Sequence, residues 1–249
     1  MDIWLFDLTR RVSSRFTFDP RTDRDPVWSP DGSRILFRSD REGGHSLYQK
    51  VASGAGTDEL LLKTGQTLIP YDWSLDGRFL AYESIDPKTS ADLWILPLEG
   101  DRKPVPFLKT EFSEQDAQFS PDGRWIAYQS TESGPQQVYV QPFPATGAKW
   151  QISKSGGTVP KWRRDGKELF YLAADRQLTA VDVTLPRDAK GSLQAGIPKP
   201  LFASRAAGGL PRFAGSRDGQ RFLIFVRTED DSGPSPATVV LNWAAGVRK

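Results

Sequence analysis

Enzymes need imidazoles, thiolates or paired carboxylates held within reach of one another, and this 249-residue chain carries few of them. It has one histidine, His45, one asparagine, Asn242, and no cysteine. That excludes thiolate nucleophiles, disulfides and cysteine metal sites, and leaves one imidazole for general-base work. His45 follows Asp40-Arg41-Glu42-Gly43-Gly44, and no Gly-x-Ser-x-Gly elbow occurs, so it reads as a loop residue rather than a triad member. Carboxylates are the remaining option, because two of them can divide acid and base or nucleophile work on a glycosidic bond. Asp25 and Asp116 occupy equivalent places ahead of similar motifs, and Asp72 lies near the same level. No cofactor and no metal site is expected.

The elements that would position these groups come from a repeat. Trp28-Ser-Pro-Asp-Gly32, Trp73-Ser-Leu-Asp-Gly77, Phe119-Ser-Pro-Asp-Gly123, Trp162-Arg-Arg-Asp-Gly166 and Gly215-Ser-Arg-Asp-Gly219 each precede a short apolar run. Their aspartates are 45, 46, 43 and 53 residues apart, a period that suits a four-stranded propeller blade. Proline presets one turn position, glycine supplies a positive φ, and serine can bond back to the turn amides. These aspartates are therefore read as structural. The following runs, such as Ile35-Leu36-Phe37, are apolar on both faces, as strands packed between two neighbours should be. Third strands are expected at 46–48, 92–95, 137–140, 178–181 and 238–241, and weaker fourth strands at 58–62, 104–108, 149–152 and 199–202. Residues 182–198, rich in Gly, Pro and charge, read as an irregular insertion. The fold expected is all-β, a propeller of five to six four-stranded blades forming one domain over residues 1–249, or a piece of a longer chain.

The Trp-Ser-Pro-Asp-Gly turn, its apolar strand, and the loop Arg38-Ser-Asp-Arg-Glu-Gly-Gly44 before Leu47-Tyr48 resemble the TolB-like, WD-repeat-related β-propeller repeats of bacteria. The resemblance runs along essentially the whole chain. It departs in copies four and five, where Arg163-Arg164 and Arg217 interrupt the motif. It implies a sensor-like propeller of the kind attached to bacterial serine/threonine kinases or regulators, although no kinase motif occurs here.

The ends do not match a simple closed array. Residues 2–8 look like a third strand and 14–18 like a fourth, while the last copy supplies three strands without a clear fourth. Unpaired edges are a liability, so either an upstream segment or self-association through the terminal strands is expected. Binding residues should lie on the channel-mouth face, on loops and strand entries opposite the Asp-Gly turns. The candidates there are Asp25, Arg41, His45, Tyr71, Asp72, Asp116, Lys161 and Arg212. With Lys plus Arg at 33 against 31 acidic residues, the net charge is +2, and the basic clusters at Arg10-Arg11, 161–164 and Arg248-Lys249 are small. No nucleic-acid partner is expected. The longest apolar stretches, 221–226 and 238–241, are too short to cross a bilayer, and no secretory leader is read after Met1. The compartment stays open, with the bacterial periplasm ahead of the cytoplasm. The functional expectation is a non-catalytic module that recognises a protein, peptide or small polar ligand. A propeller glycoside hydrolase is the alternative.

Overall fold

The computed structural model describes residues 1–7, 9–186, 191–204, 213–216, 218–224 and 238–240. Among them there is no helix, and hence none long and apolar enough to cross a membrane. The chain divides into two compact units, Met1–Ala117 and Gln118–Lys249.

In the first unit, β1 (Trp4–Asp7) and β2 (Val12–Arg15) form a two-stranded antiparallel hairpin. Next comes a four-stranded sheet of β3 (Asp23–Trp28), β4 (Arg34–Ser39), β5 (Ser46–Val51) and β6 (Glu59–Leu62), in chain order. The same order recurs in β7 (Thr67–Trp73), β8 (Phe79–Asp86), β9 (Ser90–Pro97) and β10 (Val105–Leu108). The apolar runs explain how these sheets stack. Leu36 and Leu47 pack with Leu68, Leu80, Tyr82 and Leu96 of the following sheet. Ile35, Phe37 and Tyr48, on the opposite face, pack with Ile3 and Phe16 beside the hairpin. Ile35, Leu36 and Phe37 are all completely buried, so consecutive residues face two different neighbours and alternation disappears.

The division between units falls within β11 (Glu114–Phe119), the first strand of a sheet that continues through β12 (Trp125–Ser130), β13 (Gln137–Pro142) and β14 (Trp150–Gln151). β15 (Gly157–Trp162), β16 (Glu168–Ala173) and β17 (Gln177–Thr184) follow, with β18 (Gln194–Ala195) and β19 (Lys199–Ala203) both paired to β17. Among the described residues the last sheet has three strands, β20 (Phe213–Gly215), β21 (Phe222–Ile224) and β22 (Thr238–Val240). β16 again serves two cores, Leu169 and Tyr171 on one side and Phe170 and Leu172 on the other.

The expected strands are present with small shifts at their ends. Two segments differ. Residues 182–184 extend β17 rather than opening an insertion, and residues 194–195 pair with it, because Val183 and Leu193 are buried in the core shared with Trp125 and Val181. At the N-terminus the strand ends at Arg15 instead of running to Phe18: Phe16 turns into the core, and Phe18 is left exposed.

The Asp-Gly turns show why their residue types recur. At the first, the Ser29 hydroxyl donates to Asp31 at 2.6 Å and accepts the Arg34 amide at 2.9 Å, while Gly32 adopts φ 71°. Ser74 with Asp76 and Ser120 with Asp122 repeat these bonds. Copy four lacks the serine, and the Arg163 guanidinium grips Asp165 instead, at 2.8 Å through two nitrogens. The departure in sequence thus conserves the carboxylate's role. Ser29 lowers the Asp31 pKa, and Arg163 that of Asp165, each from 3.8 to about 2. Carboxylates depressed in the folded state stabilise above their unfolded pKa and lose that contribution as pH falls through the folded one. Thermal melts followed by circular dichroism should therefore show stability falling between about pH 4 and about pH 2. Asp31→Asn combined with Asp165→Asn is expected to be less stable at neutral pH and less sensitive to acid; an unchanged acid profile would disprove the assignment.

Candidate functional site

The first strand of the blades is interrupted at the level where the sequence puts the binding residues. β3 slips register between Arg24 and Val27, β7 between Pro70 and Asp72, and β15 between Thr158 and Lys161. The backbone is left-handed at Asp25 (φ 53°), Asp116 (φ 52°) and Val159 (φ 54°). Aspartate tolerates this region, whereas a β-branched residue enters it only when its surroundings hold it there. Such bulges unpair a residue and re-aim its neighbours. In the second unit the amide at Val159 is taken up by Oε1 of the fully buried Gln129, at 2.9 Å.

In the first unit, Arg38 takes the place that Gln129 holds in the second, seven residues after the turn aspartate. Its Nε lies 2.5 Å from the Asp25 carboxylate. Both side chains are largely enclosed, so the pair stands in a medium where charge interactions are strong. His45, just ahead of β5, lies within the electrostatic influence of both; its carbonyl accepts the Leu68 amide, and its buried Nδ1 has no hydrogen-bond partner. Burial first, then the positive charge of Arg38, holds the His45 pKa below its ordinary 6.5, leaving the imidazole neutral at pH 7. One sheet further on, the Tyr71 hydroxyl donates to Oε2 of Glu83, which is 1% exposed, and Gln115 donates to the same oxygen at 3.4 Å.

The remaining sequence candidates are placed as follows. Arg41 is folded away from solvent, with Nη2 3.0 Å from Asp23, Nη1 2.7 Å from Asp58, and its plane 4.4 Å from the Tyr48 ring centre. Asp72 is half-buried opposite Ala81 in β8, and Asp116 is buried in β11. Lys161 is half-buried opposite Phe170 in the second unit. Arg212 lies outside the described residues. Asp25 is thus paired with Arg38, whose charge also acts on His45, and Tyr71 meets Glu83. Arg38, Glu83, Gln115 and Gln129 were not singled out from the sequence. The available signal was a polar residue seven positions after three of the turn aspartates, at the end of an otherwise apolar run.

Among the described residues no group of three or more His, Asp and Glu side chains is placed to hold a metal ion. A cleft of about 730 Å³ opens in the second unit at the Asp-Gly turns, lined by Arg124, Arg163, Lys167 and Leu185 among others. It stands at the other end of the strands from the bulges. Arg124 and Arg163 are already paired there, to Asp122 and to Asp165 and Glu168.

Successive antiparallel sheets in chain order, sharing cores with their neighbours within each unit, are those of a β-propeller, and the architecture is TolB-like. TolB from Acinetobacter baumannii superposes with a TM-score of 0.72 at 17% identity, over 91% of this chain and 54% of that one. An oligogalacturonate lyase in complex with manganese gives 0.64 at 15% identity, over 96% of this chain and 71% of the lyase. By sequence, the chain is 28% identical to an uncharacterized peptidase, YuxL, of Bacillus subtilis (strain 168), over 56% of this chain and 27% of that protein. No protein-family model matches. The chain spans between about a quarter and two fifths of the length of the curated relatives it matches.

Proposed function

We propose that this chain is a non-catalytic recognition module, a single propeller domain within a larger bacterial protein, that binds a protein, a peptide or a small polar ligand at the bulged end of its first strands. Self-association through the terminal strands belongs to the same reading. The observation that carries it is the Asp25–Arg38 ion pair of the first unit, together with a neutral imidazole at His45 that feels both charges and has an unpartnered, buried Nδ1. Such a group offers a fixed donor and acceptor pattern on a rigid frame, which suits recognition more than proton transfer. Asp72 and Asp116 belong to the same proposed face of the first unit, and Lys161 and Arg212 are proposed, from the sequence alone, as further binding residues.

The test is a peptide-array screen on immobilised protein, followed by titration calorimetry of the best ligand. His45→Ala and Asp25→Asn are each expected to weaken binding by about tenfold or more, with melting temperatures monitored to separate affinity from folding. Binding that survives both changes undiminished refutes the location. The enzyme alternative has one observation in its favour, the likeness to the lyase together with the shared backbone position of Asp25 and Asp116. Turnover of an acidic or neutral oligosaccharide that is abolished by Asp25→Asn and by Asp116→Asn would establish it in place of recognition.

A further inference from the structure

The first unit gathers more positive charge at its bulge than it neutralises. Arg24 of β3 stands directly opposite Arg38 of β4, and opposed residues of an antiparallel pair project from one face with Cβ atoms about 4.5–5.5 Å apart. Like charges in that position cost stability. Asp25 offsets one of them, its carboxylate lying 2.5 Å from the Arg38 Nε. Arg24 forms no ion pair and no side-chain hydrogen bond among the described residues. Arg21 and Asp40 act on each other with opposite charges, and His45 is neutral, so one positive charge is left over.

The strand position of Arg38 is fully engaged in the two sheets that follow. Seven residues after the turn aspartate, the terminal oxygen of Gln129 accepts the Val159 amide. At the same place Oε2 of Glu83 accepts the Tyr71 hydroxyl and the Gln115 side-chain amide. Arg38 is engaged through Nε alone, and its two terminal nitrogens have no partner among the described residues. The side chain is only 15% exposed, with Nε sealed from solvent. A guanidinium fixed at its base, with both tips unused, is preorganised for a planar acceptor that offers two oxygens.

We infer that the group anchored at this bulge is a peptide carboxylate, seated on the terminal nitrogens of Arg38 with Arg24 as its second cation. This names the ligand class for the recognition reading above and rests on it. A carboxylate carries one negative charge and cancels the excess that Asp25 leaves. It also relieves the repulsion between the opposed arginines, which no group of the chain does for Arg24. A phosphate monoester brings a charge of about −2, and its second charge would stand uncompensated against Asp25. The carboxylate comes from an acidic side chain or from a chain terminus, which share this chemistry.

Amide chemical shifts of the full chain, titrated at constant ionic strength with short peptides, test it. Acetyl-Gly-Glu-Gly-amide should give saturable shifts in β3, in β4 and at the Leu68 amide. It should bind at least about tenfold more tightly than acetyl-Gly-Gln-Gly-amide, as a charge-assisted pair allows. The Gln peptide with a free terminus shows whether a chain end serves as well as a side chain. Arg24→Gln, at an exposed position, should cut the preference at least about threefold. Arg38→Gln combined with Asp25→Asn leaves the local net charge unchanged and removes the fork, so it should abolish the preference. Equal binding of the Glu and Gln amides, no shifts with either, or a preference that the double variant retains overturns the inference. Inorganic phosphate binding about tenfold more tightly than acetate overturns it in favour of a phosphoryl group. In each case array ligands that lack a carboxylate and still depend on His45 leave the recognition reading standing.

Discussion

Replacing Arg41 by methionine is expected to destabilise the first unit by about 3–5 kcal/mol, the cost typical of removing one partner from a buried ion cluster. The guanidinium bonds Asp23, whose side chain is wholly buried, and Asp58; it also donates to the Ser39 hydroxyl and lies over the Phe37 and Tyr48 rings. Methionine keeps the aliphatic stem and its packing, so what is lost is charge and directed hydrogen bonding. Asp58 retains Lys50, 3.2 Å away, and the uncompensated charge is therefore chiefly that of Asp23. At about 2–4 °C per kcal/mol for a chain of this size, the melting temperature should fall by roughly 6–20 °C. Arg41→Lys should be intermediate, since an ammonium restores the charge and cannot span both carboxylates as the planar fork does. Asp23→Asn added to Arg41→Met should recover part of the loss, as coupled neighbours do. Denaturant unfolding of the four proteins checks all of this. A loss below about 1 kcal/mol would mean that Arg41 behaves as a solvated surface charge.

The case of Arg41 also shows what the sequence discloses and what it withholds. The repeat is legible because turn chemistry is local: serine, aspartate and glycine satisfy one another within five residues, so their spacing alone announces a hairpin. Strand burial is legible too, because Ile35-Leu36-Phe37 cannot be apolar on both faces without two neighbours. A loop arginine is different, since its partners Asp23 and Asp58 lie 18 and 17 residues away, and nothing local distinguishes an arginine reaching outward from one folded back onto carboxylates. Arg38 was hidden for the opposite reason. It ends an apolar strand and reads as a boundary, yet the bulge at Asp25 turns the aspartate towards it. Bulge positions are set by how strands meet, and Val159, with a left-handed backbone that its residue type disfavours, carries no sequence signal at all.

Trp125 carries the second large effect, and two substitutions there should diverge. It is 1% exposed at the centre of the second unit's core, edge-on to Trp150 at 5.7 Å between ring centres. Trp125→Ala should cost about 3–5 kcal/mol through lost burial and an unfilled cavity. Its indole Nε1, however, is buried without a hydrogen-bond partner, and a buried N–H left unpaired carries a penalty of about 1–3 kcal/mol. Phenylalanine removes that penalty together with part of the ring area and keeps an aromatic face towards Trp150. The two terms are of similar size and opposite sign, so Trp125→Phe is expected within about 1 kcal/mol of wild type. Chemical denaturation with matched m-values reads both variants on one scale. Should the phenylalanine variant lose as much as the alanine variant, the tryptophan would owe its place to its full ring shape, and the unpaired N–H would be a negligible cost at this position.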